Sequence, residues 1–205
     1  MELITLGRWP QNGSRPEPIQ WLVLRREGDT LRCLSRSILD YQPYHREGGG
    51  ACWAECSLRR WLNRDFFSAA FSPEEQQRIL PTRLTSPGGE TEDRVFLPAP
   101  PEDWPGYNIM EDSGDYYNFS PEDCAMTTPY TREKGIWFVE EEGPDRYRGC
   151  WCIRYPRYLN EDDEDTGRPD YTSSVNFDGY IEAVAQGTED FDGIRPAIRL
   201  AVPSP

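Results

Sequence analysis

Three groups of residues in this sequence have chemistry to offer: six cysteines, a single histidine and an acidic run. Cys150 and Cys152 are two apart, which on a strand puts both thiols on one face. Cys52 and Cys56 are four apart, one turn if that stretch is helical. Zinc sites use paired C-x-x-C ligands or histidines at set spacing. This chain has neither arrangement, and His45 is its only histidine. The spacing therefore favours buried core thiols. A serine or cysteine nucleophile needs a base within reach, most often histidine. His45 stands beside Gly48-Gly49-Gly50, which lacks the following Lys-Ser/Thr of a phosphate loop, and no G-x-S-x-G occurs. With 36 acidic residues some carboxylate pair is inevitable, so such a pair says nothing for glycoside cleavage. The expectation is a protein that is not an enzyme.

The acidic run is Asn160-Glu161-Asp162-Asp163-Glu164-Asp165. Calcium takes six to eight oxygen ligands, and Asp162, Asp163 and Asp165 could supply some of them. The Asp/Asn alternation and glycine of an EF-hand are absent, so a solvated, self-repelling loop is the favoured reading. No cofactor is expected, calcium being the one ion the run could attract.

A second constellation is aromatic and polar: Trp151, Arg154, Tyr155, Arg157, Tyr158, Asn160, Tyr171, Ser173, Ser174, Asn176 and Tyr180. Tyrosine gives large contact area at low entropic cost while serine and asparagine adapt their hydrogen bonds, as in antibody paratopes. Arg154 and Arg157 could clamp a carboxylate or stack on a ring. This pattern points to binding, with the competing reading that alternate residues simply face the core.

Elements must position these groups. The 205 residues suffice for one domain with a real core. Three parts are expected: a meander with two helices over 1–97, an irregular insertion over 98–135, and a sheet with ligand-facing loops over 136–205. Residues 3–6, 19–24 and 31–34 read as strands, with Glu27-Gly28-Asp29 as a hairpin turn. Ser57 is placed to cap a helix running to about Phe71, because Leu58, Trp61, Leu62, Phe66 and Ala69 recur at helical spacing. Ser72-Pro73-Glu74-Glu75 opens a second, short helix with a capping box, ending by Pro81. Residues 93–97 are a further strand before Pro98-Ala99-Pro100-Pro101. Strands return at 136–139, 149–154, 173–177, 180–185 and 194–200, with Asp178-Gly179 as a hairpin signal. The fold class is α+β, a mostly antiparallel sheet with two helices in the N-terminal half and long loops in the C-terminal half. Trp21 and Trp61 read as core anchors. Arg195, alone in an apolar closing strand, needs a carboxylate or carbonyl partner.

Net charge is −14 with a pI near 4.5, which argues against nucleic acid and anionic membrane surfaces as partners. Lys134 is the only lysine among 22 basic residues. The opening Met1-Glu2-Leu3-Ile4 lacks the basic and long apolar regions of a signal peptide, and no apolar run approaches a membrane span. The expectation is a cytoplasmic protein with reduced cysteines, surface or phage association being the other placement.

Several phrases resemble the uncharacterised bacterial family known as domain of unknown function 6273. They are I-T-L-G-R-W-P-Q (4–11), P-I-Q-W-L-V-L (18–24), S-R-S-I-L-D (35–40), W-A-E-C-S-L-R-R-W-L-N (53–63), F-S-P-E-E-Q (71–76), D-R-V-F-L (93–97) and G-I-R-P-A-I (193–198). The resemblance covers most of the chain in order, missing the middle loop, and the family itself implies no established activity. Arg148-Gly149-Cys150-Trp151 and Gly193-Ile194-Arg195 are also similar to the R-G-G-S-W phrase and terminal G-F-R strand of the C-type-lectin-like fold. That fold includes formylglycine-generating enzymes and the variable proteins of diversity-generating retroelements. This resemblance implies a scaffold framing a ligand-facing loop region. For the enzymes it implies a copper-binding cysteine pair, but theirs is more widely separated than Cys150 and Cys152. The Glu-Pro-Asn or Gln-Pro-Asp phrase of sugar-binding lectins is missing, Arg168-Pro169-Asp170 being a partial echo. The functional expectation is a non-enzymatic module presenting residues 155–192 to a protein or glycan, in its sharpest form a diversified receptor surface. The alternatives are a formylglycine-generating-like oxidase or degenerate relative, and a structural accessory domain.

Overall fold

The computed structural model describes residues 2–47, 51–86, 88–99, 125–140, 146–154, 171–177, 181–185 and 191–202. The chain opens with three antiparallel strands, β1 (Leu3–Pro10), β2 (Pro16–Glu27) and β3 (Thr30–Ser35). The expected turn closes β2 onto β3, with Glu27 opposite Thr30. β1 carries a register shift between Thr5 and Arg8, where Gly7 takes φ +70°. Its N–H is bound by Glu75 Oε1 at 2.8 Å, and a Cβ there would lie 2.6 Å from the Phe71 ring. Strand β1 is thus held against the helical segment by a residue only glycine can replace.

After the short β4 (Asp40–Pro43), the helical segment runs as α1 (Ser57–Trp61), a π-helical turn (Leu62–Phe66) and α2 (Phe67–Ala70). The expected apolar stripe buries Leu58, Leu62 and Phe66, but Ala69 is exposed and Ala70 is buried in its place, one residue later than a plain helical period puts it. The cap differs from expectation by one residue. Cys56 is the N-cap, its Sγ accepting the Arg59 N–H, while Ser57 Oγ accepts from the Arg46 N–H at 2.8 Å. The π-helical turn also departs from a plain period. It coincides with the cluster in which Trp9 meets Trp61 and Phe66 at 5.8 and 4.7 Å. Trp21 is fully buried, its indole N–H donating to the Leu6 carbonyl at 2.8 Å, whereas Trp61 is only partly buried. The second helix, α3 (Pro73–Arg78), has the expected Ser72/Glu75 capping box.

A hairpin of β5 (Thr82–Ser86) and β6 (Gly89–Asp93) follows, and the expected 93–97 strand proves to be two elements. Asp93 ends β6, and Val95–Phe96 forms β7 in another sheet. Within the expected irregular insertion lie β8 (Ala125–Met126) and α4 (Pro129–Glu133). Thr128 caps α4 reciprocally with Thr131, and Pro129 occupies its first turn. The remaining strands are β9 (Phe138–Glu140), β10 (Tyr147–Gly149), β11 (Trp151–Ile153), β12 (Tyr171–Val175), β13 (Ile181–Ala185), β14 (Phe191–Ile194) and β15 (Ala197–Ala201).

These strands form sheets in the orders β1-β2-β3-β15-β7, β8-β10-β9 and β13-β12-β11-β14-β4, besides the β5-β6 hairpin. Pairing is mostly antiparallel. Among the described strand pairs β11 and β14 run parallel, with Trp151 beside Gly193, and an isolated bridge between Ser37 and Met126 is also parallel. Two phrases read from sequence as single strands each change sheet. Residues 149–154 pass from β10 to β11 through Cys150, and 194–200 pass from β14 to β15 through Arg195-Pro196. Residues 35–39 tie the three sheets together. Ser35 donates to the Pro196 carbonyl, Ile38 to Met126 and Leu39 to Ile194, each at 2.9 Å.

Both glycines at these crossings lie under Ile38 and Ile136. The Gly193 N–H donates to the Cys150 carbonyl at 3.2 Å, and a Cβ on Gly193 would lie 2.3 Å from that oxygen. Because the obstacle is backbone, relaxation requires moving a strand. Gly193→Ala is expected to destabilise the fold by about 3 kcal/mol or more. Urea unfolding checks this, and a loss under roughly 0.5 kcal/mol contradicts the close-approach argument.

Candidate ligand-binding face

The sheet crossings place several of the sequence-derived site residues in the interior. Trp151 is 0% exposed, with the Arg195 guanidinium 4.9 Å from its ring centroid. Arg195 is 1% exposed and donates from Nε to the Ser35 carbonyl at 2.8 Å, so the expected partner is a carbonyl. Arg154 is also buried. Its guanidinium donates to the Thr85 carbonyl at 2.8 Å and to Ser86 Oγ at 3.2 Å, anchoring the β5–β6 hairpin. Ser173 is buried on β12, its hydroxyl without a hydrogen-bond partner among the described residues. Trp151, Arg154 and Ser173 therefore build the frame instead of lining an exposed surface. Ser174 is buried and donates to Asp192 Oδ2, and Asn176 is half-buried beyond the end of β12. Tyr171 lies on β12 opposite Ala185. Tyr155, Arg157, Tyr158, Asn160, Tyr180, Asp162, Asp163 and Asp165 lie outside the described residues.

The thiols follow the same division. Cys33, Cys52, Cys56, Cys150 and Cys152 form no disulfide, and Cys33, Cys56 and Cys152 are buried. Cys150 sits at the crossing between two sheets and is half-buried, so it and Cys152 do not share one continuous strand. Cys152 donates to Asp192 Oδ2 at 3.4 Å. Burial, and then the Asp192 charge, raise its pKa well above the ordinary thiol value. Burial also pushes Cys33 and Cys56 up to about 12, in Cys56 against the Arg59 N–H that stabilises its thiolate. Nucleophilic and metal-ligating cysteines work as thiolates, so this cluster is chemically quiet. Among the described residues no group of three or more His, Cys, Asp or Glu side chains is arranged to hold a metal ion.

The exposed chemistry lies elsewhere. Trp137 is 61% exposed and Phe138 39%. Helix α4 positions both: it ends at Lys134, and Gly135 turns the chain at φ +98° into β9. Each ring is braced from one side. Trp137 meets Phe177 edge-on at 5.1 Å, and Phe138 meets Tyr147 edge-on at 5.1 Å. Such pairs contribute about 0.5–1.5 kcal/mol beyond their area and fix ring orientation. Arg132 lies over Tyr147 at 4.2 Å and over Phe138 at 5.9 Å, held also by Thr127 Oγ1 at 3.1 Å.

The base of α4 is tied down by Lys134, which binds the buried Asp40 carboxylate and lies 4.8 Å from the Tyr130 ring. Burial raises the Asp40 pKa, its bond to Lys134 opposing only part of that rise. For Lys134 burial acts downward, but Asp40 and Tyr130 outweigh it and the pKa rises. The two partners differ because Asp40 is far more deeply buried. Their geometry supports an ion pair that fixes position more than it adds stability.

Sequence reasoning placed a strand at 136–139 but did not single out Trp137 and Phe138. The signal was present, since adjacent aromatic residues on an alternating strand cannot both face inward. A family model described as domain of unknown function DUF6273 matches residues 20–202, and the chain belongs to that family. No curated protein and no solved structure matches it.

The thiol assignment has a direct test. At about pH 8, iodoacetamide is expected to leave Cys33, Cys56 and Cys152 unmodified in the folded protein and to alkylate them after denaturation. Rapid labelling of Cys152 in the folded state contradicts it. Raised thiol pKa values also set a pH window. The unfolded chain releases these protons near the ordinary value of 9.0 while the fold retains those of Cys33 and Cys56 to about 12. Their contribution is therefore complete below that ordinary value and declines as pH rises through the interval. Urea midpoints measured across it are expected to fall, and less steeply after Cys33→Ala.

Proposed function

We propose that the chain is a non-enzymatic binding module on a C-type-lectin-like scaffold. Its described contact surface is made by two exposed aromatic pairs, Trp137 with Phe177 and Phe138 with Tyr147. The ligand is a protein or a glycan. The observation that carries this reading is the exposure of two large aromatic side chains that the fold braces and does not bury. Exposed apolar patches rimmed by polar groups mark interaction surfaces, and Trp, Tyr and Arg dominate binding hot spots. Phe177 belongs to the stretch that sequence reasoning assigned to ligand contact, so this surface adjoins that region. The protonated, buried state of Cys152 supports the binding reading over the oxidase alternative. The paired sheet crossings at Cys150 and Arg195 support the lectin-like frame, because they bring the two resembling phrases side by side.

The test compares wild type with Trp137→Ala/Phe138→Ser on glycan arrays and in pull-downs with quantified binding. The double variant is expected to fold normally and to bind about 10- to 100-fold more weakly. Unchanged binding of every ligand recovered by wild type, or no ligand for wild type in either format, overturns the proposal.

A further inference from the structure

The two exposed aromatic pairs lie on opposite faces of one short strand. Phe138 packs on Tyr147, and Tyr147 is the register partner of Glu140, which shares the Phe138 side of β9. Trp137 packs on Phe177, whose carbonyl accepts from Arg148 Nη1 at 3.4 Å. Arg148 is the register partner of Val139, so this pair belongs to the other face. No single flat ligand stacks on both pairs. What they share is the strand edge between them.

Strand β9 is the outer member of the order β8-β10-β9. The ladder fixes which of its backbone groups are left over. The Thr127 N–H donates to the Tyr147 carbonyl at 2.7 Å, so Tyr147 turns its backbone groups toward β8. Adjacent residues of an antiparallel ladder bond to alternate sides. Arg148 therefore bonds to Val139, and the N–H and C=O groups of Phe138 and Glu140 point out of the sheet. Among the described residues no strand pairs with that side. The edge is held in place from α4, because the Ile136 N–H donates to the Thr131 carbonyl at 3.2 Å.

We infer that β9 receives an extended segment of a partner protein as an added strand, with basic side chains over Phe138 and Glu140 and apolar ones over Trp137 and Val139. Main-chain hydrogen bonds to Phe138 and Glu140 supply the attachment, and the alternating side chains supply selectivity. On one face the Phe138 ring and the exposed Glu140 carboxylate both favour a cation. Arg132 on that face is already engaged, 4.2 Å from the Tyr147 ring centroid and bonded to Thr127 Oγ1 at 3.1 Å. A second copy is a poor occupant, since edge-to-edge pairing brings two Glu140 side chains and two chains of net charge −14 together. The inference rests on the binding-module reading and narrows its ligand to a protein.

Selection from a phage-displayed random peptide library on the full chain, followed by titration of the synthesised peptides, tests this. Selected peptides are expected to alternate basic and apolar residues. N-methylation of every second amide is expected to abolish binding in one phase and to spare it in the other, because only alternate residues face β9. Glu140→Pro removes one outward N–H and leaves the inner ladder intact, so binding is expected to weaken about 10-fold or more. Glu140→Gln keeps that N–H and is expected to weaken it about 2- to 5-fold. The methylated peptides leave the protein unaltered, so their result stands whatever the variants do to folding. Equal losses in the two variants, tolerance of both methylation phases, or a library that yields no peptide overturns the inference. A dimer in sedimentation that Glu140→Pro abolishes assigns the edge to a second copy and also overturns it. Glycan binding that survives Glu140→Pro but not Trp137→Ala/Phe138→Ser overturns strand addition and leaves the binding module standing. Absence of every ligand overturns both.

Discussion

The structure depends on one buried cation. Arg195 is placed where three sheets meet, between the Ser35 carbonyl and the Trp151 ring. Removing a guanidinium from water costs several kcal/mol unless its environment replaces the lost solvation. A hydrogen bond from a charged donor returns about 1.5–3 kcal/mol, and a desolvated cation–π contact about 2. These two contacts join residues from three separate parts of the sequence, and each needs the other two in place. Pro196 then fixes the corner, its carbonyl accepting the Ser35 N–H. A strand leaving one sheet is delivered into the next with little freedom in its angle.

Two glycines make that junction narrow. Gly149 and Gly193 let β10, β11 and β14 approach one another over Ile38 and Ile136. Ile136 directly precedes Trp137, and the Ile136 N–H donates to the Thr131 carbonyl of α4 at 3.2 Å. The interior side of the crossing is therefore continuous with the segment that carries the exposed rings. Lys134 adds a second tie from the same segment to Asp40 on β4. Rigid placement of Trp137 and Phe138 is a consequence of the junction, and it reduces the entropy lost when a ligand covers them.

Much of the N-terminal half was legible because its signals are local. The β2–β3 turn, the Ser72/Glu75 capping box and the stripe of Leu58, Leu62 and Phe66 all follow from spacing within a few residues. The errors there were small and had local causes. A cysteine sulfur took the capping role assigned to Ser57, and contact with Trp9 accompanied a π-helical turn. The helix α4 was also locally encoded, by Thr128-Pro129 and Thr131, within a stretch otherwise lacking a period. The candidate site was less legible. Residue type marked Trp151, Arg154 and Ser173 as binders, yet the same aromatic and polar atoms also suit a buried junction.

By itself, the sequence determined the order of most elements, the caps and turns, the family and the need of Arg195 for an oxygen partner. These are properties of neighbouring residues or of a single side chain's chemistry. Tertiary structure alone decided that 149–154 and 194–200 each divide between two sheets. It also decided that Trp151 faces inward while Trp137 faces out, and that Arg32 and Arg199 stand opposite each other. The physical reason is the same in each case. Period-two alternation specifies two faces of a strand but not which face meets solvent, and register is settled only when distant strands pair.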